Sequence, residues 1–292
     1  DLNESTPMLK RLLLAVDAPL RVAGHDLRVS ASVGVTFYPQ STEVDAEQLL
    51  RQADQAMYQA KQAGKNRYHV FDTEQDRTLR GQFESLKRIA QALLDEEFVL
   101  FYQPKVNMRT GQVTGVEALI RWQHPQQGLL APGLFLPIVE DDPLAIQLGE
   151  WVVRTALAQL AAWQALGLRL SLSVNVGARQ LQHGGFVAFL SHALAAQKQV
   201  NPADLQIEVL ETSALQDMVR VTEVMAQCCA LGVHFALDDF GTGYSSLTYL
   251  KRLPVSQLKI DQSFVRDMLD DPDDLSILVG VLDLSASFHR QV

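Results

Sequence analysis

The chain has 292 residues, of which 47% are hydrophobic and 20% charged, and its formal net charge at pH 7 is -9. This length provides sizeable cores for one large or two ordinary globular domains. The acidic balance argues against polymeric nucleic acid as a partner, because such binding requires a basic surface that releases counterions. The chain has no apolar run of the roughly 20 residues that a membrane span needs. Its start carries the acidic residues Asp1 and Glu4 instead of the basic and then apolar residues of a secretion signal. We therefore expect a cytoplasmic segment without membrane contact.

The cysteine and histidine residues do not form a ligand pattern. Cys228 and Cys229 are adjacent within a helical pattern, where they behave as small apolar residues. His124, His183 and His234 share no ligand spacing. We therefore expect neither an internal disulfide nor a structural zinc site.

The first seventy or so residues predict a β-α-β unit. Apolar residues alternate with smaller or polar ones over Val29–Tyr38, which predicts a strand. Asp45 and Gln48 form a capping-box pattern that opens a helix, and Gly64 follows its end. A short strand over Arg67–Phe71 completes the unit, which is too small for a complete domain.

The following residues predict a connecting helix and a second domain. Apolar residues recur at helical spacing among the charges of residues 72–97. We expect a partial domain at 1–72, a connecting helix at 73–97 and a second domain at 98–292. Six strand patterns alternate with helix patterns in the second domain: Phe98–Val106, Val113–Trp122, Arg169–Val176, Gln206–Leu210, Val233–Asp238 and Gln257–Asp261. This alternation predicts an α/β fold, a TIM-like β/α barrel that is incomplete, because a closed barrel needs eight strands.

The later strands each have one polar face. Those faces comprise Glu117, Leu119 and Arg121; Ser171, Ser173 and Asn175; Gln206 and Glu208; His234, Ala236 and Asp238; and Gln257, Lys259 and Asp261. The opposite, apolar faces are suited to packing on helices, so the polar faces are expected to point into the barrel. Burying an unpaired polar group costs a few kcal/mol, so these side chains need partners inside.

Two adjacent carboxylates, Asp238 and Asp239, stand where a strand becomes a loop. Neighbouring residues of a regular strand point to opposite faces, so both can reach one site only if the backbone leaves strand geometry there. Gly241 and Gly243 permit that departure. In the alternative interpretation, Asp238 caps a following helix and Asp239 is solvated.

Oxygen donors on the polar faces predict a site for two divalent cations. They are Glu117, Asn175, Glu208, Asp238 and Asp239. Such hard donors suit Mg²⁺ or Mn²⁺, and the absence of histidine and cysteine among them counts against zinc. A pair of ions activates water and stabilises a phosphoryl centre under attack. The predicted chemistry is phosphodiester hydrolysis.

Three further residues have two interpretations each. Lys259 either deprotonates or orients the attacking water, with a depressed pKa, or forms a structural ion pair with Asp261 or Glu208. Arg121 either binds a phosphate or stacks on an aromatic ring. Glu211 follows Glu208 by three residues, on the opposite face of a continuing strand, and either holds a loop, which we expect, or binds a metal.

Four segments resemble the EAL domain of cyclic di-GMP phosphodiesterases. They are Glu117–Trp122 (EALIRW), Ser173–Asn175 (SVN), Asp238–Leu247 (DDFGTGYSSL) and Lys259–Phe264 (KIDQSF). The likeness runs from about Phe98 to the end. The segments Ser32–Val35 (SVGV) and Ala53–Lys61 (ADQAMYQAK) are similar to the C-terminal part of a GGDEF domain, the diguanylate cyclase fold.

The resemblance implies hydrolysis of cyclic di-GMP to linear pGpG with two Mg²⁺ or Mn²⁺ ions, in a barrel whose first strand runs against the others. The residues that it implies as metal ligands are Glu117, Asn175, Glu208, Asp238 and Asp239, with Asp238 bridging. It assigns catalytic roles to Glu117, Asp239 and Lys259, of which Lys259 assists the water. It further implies substrate contacts from Arg121, Leu119 and Gln103, and a loop anchored by Glu211.

The match to the family has departures. Glu208-Val209-Leu210-Glu211 replaces the usual Glu-Ile-Thr-Glu, and Glu140-Asp141-Asp142-Pro143 replaces a more usual Glu-Glu-Thr-Gly. The family's next strand, with another metal-site glutamate, and its last strand would lie beyond Val292, and the GGDEF signature loop would lie before Asp1. We therefore expect a fragment cut at both ends, with impaired activity of its own.

The resemblance also suggests a setting. We expect a bacterial signalling protein with sensory regions upstream, and the chain would then be the cytosolic part of a sensor, one anchored in a membrane included. We also expect a homodimer that forms through the EAL domain. The alternatives are a receptor that binds cyclic di-GMP without cleaving it and a pure dimerisation or scaffold module.

Overall fold

A computed structural model of the protein describes residues 2–22, 25–40, 43–215, 217–242 and 247–292. The chain divides into two compact units, residues 1–84 and 85–292. Among the described helices, none combines the length and the hydropathy needed to span a bilayer.

The first unit contains the predicted β-α-β arrangement. Helix α1 (Leu2–Asp17) and a hairpin of β1 (Leu20–Val22) and β2 (His25–Leu27) precede it. Strands β3 (Ser32–Val35) and β4 (Arg67–Val70) are parallel, and α2 (Ala46–Gln62) connects them. The α/β prediction for this segment is therefore confirmed.

Local chemistry explains the ends and the packing of this unit. The Asp45 side chain caps α2 by accepting a hydrogen bond of 2.7 Å from the Gln48 amide, as the capping pattern predicts. A Cβ on Gly34 would lie 1.8 Å from the Ala53 carbonyl oxygen, so only glycine lets α2 pack this closely on β3. The predicted strand Val29–Tyr38 is too long, because the ladder with β4 has four residue pairs and ends at Val35.

The second unit contains a mostly parallel sheet. Its strands are β5 (Phe98–Val106), β6 (Val113–His124), β7 (Gly128–Leu130), β8 (Ser171–Asn175), β9 (Leu205–Leu210), β10 (His234–Phe240) and β11 (Gln257–Ile260). The order is β11-β10-β9-β8-β6-β5, with the short β7 paired to the end of β6. Strands β6 and β8 to β11 are parallel, while β5 runs antiparallel to β6, as the resemblance implies. Within the described residues the sheet is open, with β5 and β11 at its edges.

Helices alternate with the strands and cover the apolar faces. They begin with α3 (Thr73–Leu94), which contains the border between the units, and continue with α4 (Leu136–Val139), α5 (Leu144–Ala165), α6 (Ala178–Leu181), α7 (Phe186–Ala196), α8 (Glu211–Leu215), α9 (Met218–Ala230), α10 (Leu247–Arg252), α11 (Gln262–Arg266) and α12 (Pro272–Ser287). Leu172, Ile207 and Phe235 on the strands are fully buried in one core with Leu157 of α5 and Met225 of α9. Burial of each such side chain contributes about 1.5–3 kcal/mol to the stability of the fold. Because these faces are held against the helices, the opposite faces of the strands lie on the inner side of the sheet.

The structure corrects two expectations at the ends of strands. Strand β9 ends at Leu210 as predicted, but Glu211 begins α8 instead of continuing the strand. Strand β11 ends at Ile260, and Asp261 caps α11 by accepting a hydrogen bond of 2.8 Å from the Ser263 amide. In both places a helix starts immediately after the strand, so strand alternation no longer determines which way the side chain faces.

Candidate active site

Parallel pairing aligns the polar faces of neighbouring strands. Glu117 of β6 is paired with Ser173 of β8, and Asn175 of β8 is paired with Glu208 of β9. Paired residues of adjacent strands share a face, so a row of polar groups crosses the inner side of the sheet. The interior row predicted from alternation is therefore present.

Three carboxylates meet in this row. Ligand oxygens of Glu117, Glu208 and Asp238 all lie within 4.8 Å of one another, and Glu208 is completely buried. The Nζ atom of Lys259 lies among them, 3.2 Å from Glu117 Oε2, 2.5 Å from Glu208 Oε2 and 2.9 Å from Asp238 Oδ2. Four predicted site residues from four strands thus form one charged cluster.

The carboxylates keep Lys259 protonated in this arrangement. Burial lowers the pKa of the ammonium group, but the negative charges of Glu208 and Asp238 outweigh it, so the pKa is raised. Lys259, when it is paired with these carboxylates, therefore does not have the depressed pKa that is expected of a general base. The alternative pairing with Glu208 is present, whereas Asp261 accepts its hydrogen bond from Ser263.

The strand leaves regular geometry at Asp239. Its φ is +52°, Gly241 follows with φ +105°, and the pairing of β10 with β11 shifts register between Leu237 and Phe240. The backbone thus departs from strand geometry next to Asp238, as two neighbouring carboxylates in one site require. Gly243, the other glycine invoked for this bend, lies outside the described residues.

The same bend places Asp239 among other acids. Burial and the nearby charges of Asp238 and Asp261 raise the pKa of the Asp239 carboxyl. Asp238 itself accepts hydrogen bonds from the Asp239 amide at 3.1 Å and from Lys259. This concentration of negative charge near the end of β10 is suited to a cation.

Lys105 of β5 is a second interior cation, and the sequence reasoning missed it. Its Nζ donates to Ser173 Oγ and, at 3.0 Å, to Gln206 Oε1, and lies 3.5 Å from Glu208 Oε1. Burial and the charge of Lys259 lower the pKa of Lys105 although Glu208 opposes this. The signal was available, because alternation along β5 puts Lys105 on the same face as Gln103.

Asn175 and Glu211 hold neighbouring groups in place. Asn175 Nδ2 donates to Glu117 Oε1 at 2.8 Å, which leaves the amide oxygen of Asn175 available as a ligand. Glu211, buried at the start of α8, accepts a hydrogen bond of 3.0 Å from the Gly241 amide through Oε2. That contact connects Glu211 to the loop after Asp239.

The predicted substrate residues lie on β5 and β6. Gln103 is paired with Glu117, and Leu119 is paired with Phe101. The Arg121 guanidinium carbon lies 5.7 Å from the centroid of the Phe101 ring, and its Nη1 donates to the Ile120 carbonyl at 2.9 Å. Of the two interpretations given for Arg121, the structure therefore shows the contact with an aromatic ring.

The cluster fits a hard divalent cation. Its donors are carboxylate and amide oxygens, which Mg²⁺ and Mn²⁺ prefer. Among the described residues, Glu208 Oε1 has no hydrogen-bond partner although it is buried, an arrangement that is costly unless a charge satisfies it. Its contact of 3.5 Å with Lys105 Nζ is longer than a hydrogen bond to a carboxylate.

Sequence comparison identifies the family. Residues 86–292 match the sequence profile of the EAL domain. The chain belongs to the EAL domain family. Residues 1–67 of this EAL protein match the GGDEF domain of diguanylate cyclases. The EAL match includes every predicted site residue.

Known relatives span most of this EAL chain. The bifunctional diguanylate cyclase/cyclic di-GMP phosphodiesterase MucR of Pseudomonas aeruginosa is 38% identical over 290 residues, which are 99% of this chain and 42% of MucR. The cyclic di-GMP phosphodiesterase NbdA of the same species is 34% identical over 291 residues, 99% of this chain and 37% of NbdA. The chain thus spans less than half the length of each.

A solved structure resembles much of this chain. The PaMucR phosphodiesterase in complex with cyclic di-GMP is 42% identical, with a TM-score of 0.68, and the match covers 71% of this chain and 84% of that chain. The fold predicted from sequence, a TIM-like EAL domain preceded by part of a GGDEF domain, is confirmed.

Proposed function

We propose that this protein hydrolyses cyclic di-GMP to linear pGpG with two divalent cations, Mg²⁺ or Mn²⁺, in bacterial second-messenger signalling. The observation that carries the proposal is the cluster of Glu117, Glu208 and Asp238, whose oxygens lie within 4.8 Å of one another on the inner face of the sheet. The relatives named as cyclic di-GMP phosphodiesterases support the choice of substrate.

Five residues would hold the cations. They are Glu117, Asn175, Glu208, Asp238 and Asp239, all with oxygen donors. The bound ions would supply Lewis-acid stabilisation of the phosphoryl centre and an activated water. The bend at Asp239 supports its assignment as a ligand beside Asp238, because neighbouring residues of a regular strand would point to opposite faces.

Lys259 would orient the attacking water and hold a proton. Its ammonium now donates to three carboxylate oxygens, so it must release some of them when cations take the same donors. A released ammonium within the site is a hydrogen-bond donor toward the water or a phosphate oxygen. Only after its anionic partners are engaged elsewhere would it lose the charges that raise its pKa.

The remaining residues would position the substrate. Arg121 offers a planar guanidinium to a phosphate, and Gln103 and Leu119 line the adjoining rows of β5 and β6. Glu211 would keep the loop after Asp239 in place through its hydrogen bond to the Gly241 amide.

The test is product analysis in Mn²⁺ buffer. We expect the wild-type protein to form pGpG slowly, in line with the impaired activity expected from its sequence, and Glu117→Ala and Asp239→Asn to form none. Glu223→Ala removes an exposed carboxylate on α9 and serves as the matched control. Formation of pGpG by both site variants at the wild-type rate would refute the metal assignment.

A receptor that binds cyclic di-GMP without cleaving it is the second candidate. The observation that favours it is the ion pairing of Lys259, which partly neutralises the carboxylates without any cation. Tight binding of cyclic di-GMP without product in excess Mn²⁺ would support the receptor over the enzyme.

A further inference from the structure

The inner face of β5 contains an aromatic residue beside the carboxylate cluster. In this antiparallel pair, Phe101 is opposite Leu119 and Gln103 is opposite Glu117. Residues directly opposite each other share a face, so the Phe101 side chain belongs to the same face as Glu117. Two residues along a strand span about 6.8 Å. Phe101 therefore lies one step along the inner face from the row that contains Glu117.

Phe101 is exposed, unlike the other aromatic residues of this strand. Its relative exposure is 46%, whereas Phe98 is 3% exposed. Tyr102, on the opposite face, makes an edge contact with Trp163 of α5, with ring centroids 4.9 Å apart. Packing of the core thus accounts for Phe98 and Tyr102, whereas the Phe101 ring lies on the opposite, inner face of the strand.

Arg121 gives this ring a polar neighbour. The guanidinium carbon lies 5.7 Å from the ring centroid, within the range of a cation–π contact, and the hydrogen bond to the Ile120 carbonyl restrains the side chain further. An aromatic ring next to a guanidinium group is the combination that proteins use to stack a nucleobase beside its phosphate.

We propose that Phe101 stacks on a guanine base of the bound cyclic dinucleotide. This inference rests on the proposed function, which puts a phosphate of that ligand at the carboxylate cluster. A base attached to that phosphate through its ribose is displaced by about one step along the strand, where the ring of Phe101 is found. The ring contributes affinity through its π face, and a stacking contact of this kind does not read the edge of the base.

The test is calorimetric titration with cyclic di-GMP in buffer that contains Ca²⁺, with chromatography to verify that the nucleotide stays intact. We expect Phe101→Ala to raise the Kd by about 5- to 150-fold, the range found when a stacking side chain is removed. Phe101→Tyr keeps the ring and should bind within about 3-fold of wild type. Tyr58→Ala, which removes an exposed aromatic ring of α2, is the matched control and should leave the Kd unchanged.

Two further measurements separate stacking from a structural effect. An analogue with 2-aminopurine in place of one guanine should lose fluorescence on binding to wild type and Phe101→Tyr, but not on binding to Phe101→Leu, which keeps an apolar side chain without a π face. The Mn²⁺ affinity of all Phe101 variants should equal that of wild type. If wild type binds cyclic di-GMP and Phe101→Ala binds it with the same Kd, this inference is overturned while the proposed function stands. Absence of wild-type binding would overturn the proposed function and the inference with it.

Discussion

Lys259 Nζ lies 2.5 Å from Oε2 of the fully buried Glu208, and the same nitrogen also contacts Glu117 and Asp238. One ammonium group therefore occupies the position around which three carboxylates converge. Since a divalent cation would use the same oxygens, ammonium and metal compete for one set of donors. The charge of Lys259 stabilises the carboxylates while no metal is bound.

The first prediction concerns removal of this charge. Lys259→Met should lower the free energy of unfolding of the second unit in EDTA by about 3–5 kcal/mol, because it leaves buried carboxylates without a partner. Mn²⁺ should restore more stability to this variant than it adds to wild type, since the cation replaces the lost charge. Urea unfolding with EDTA and with Mn²⁺ measures both effects. Lys251→Met, at an exposed position of α10, is the control, and equal stability of Lys259→Met and wild type in EDTA would contradict the prediction.

The second prediction concerns the bend after Asp239. Gly241 has φ +105°, and a Cβ there would lie 3.0 Å from the Phe264 ring. Gly241→Ala should therefore destabilise the protein by about 1–2 kcal/mol, the cost of a left-handed backbone for a residue with a side chain. A Cβ on Gly133 would meet no atom of the described residues within 4 Å, so Gly133→Ala should change stability by less. Thermal unfolding compares the two, and equal melting temperatures would show that the bend does not need glycine.

The third prediction concerns Lys105. Lys105→Met should lower the free energy of unfolding by about 1–3 kcal/mol, because Gln206 and Glu208 lose a charged partner in the interior. The loss should be smaller than for Lys259→Met, since Lys105 has no carboxylate oxygen closer than 3.5 Å among its described contacts. Urea unfolding in EDTA measures both variants side by side. A greater loss for Lys105→Met would reverse the assigned order of the two lysines.

The fourth prediction is a pH dependence away from the site. Trp122 Nε1 donates to Glu97 Oε2 at 2.8 Å, and Arg88 Nη2 lies 2.6 Å from the same oxygen. The hydrogen bond from Trp122 and the charge of Arg88 lower the pKa of Glu97 below 4.5, although burial opposes this. A carboxyl group whose pKa is lowered by folding stabilises the folded protein at pH values above its pKa in the unfolded chain. This stability is lost as the pH falls through its pKa in the folded protein.

Glu97→Gln should therefore be less stable than wild type by about 1–3 kcal/mol at about pH 7, and the difference should shrink as the pH falls through the lowered pKa of Glu97. Urea unfolding at a series of pH values measures this difference. Glu96→Gln changes the exposed neighbouring residue and should show no such trend. A deficit of Glu97→Gln that stays constant down to pH 3 would exclude the ionised carboxylate as its cause.

Strand alternation was sufficient to predict most of the inner face. It placed Glu117, Glu208, Asp238 and Lys259 on one side of their strands, and the parallel register then brought them together. The capping pattern at Asp45 also gave a helix start that the structure reproduces. These features depend on neighbours along the chain or on a repeat of two, which the sequence displays directly.

Other features depend on contacts that the sequence does not display. Glu211 continued an apparently regular strand, but α8 begins there and turns its carboxylate toward the Gly241 amide. Alternation puts Lys105 on the same face of β5 as Gln103, but only the antiparallel pairing of β5 with β6 shows that this face is the inner one. The raised pKa of Lys259 likewise follows from three acids on separate strands, whose distances only the folded chain fixes.

The most direct test of the metal site is the number of Mn²⁺ ions that the protein binds in the presence of cyclic di-GMP, measured by electron paramagnetic resonance. We expect two bound ions for wild type and a marked loss of Mn²⁺ affinity for Glu208→Gln, which removes the charge of the buried carboxylate. Glu208→Gln that binds Mn²⁺ as tightly and in the same number as wild type would contradict this expectation.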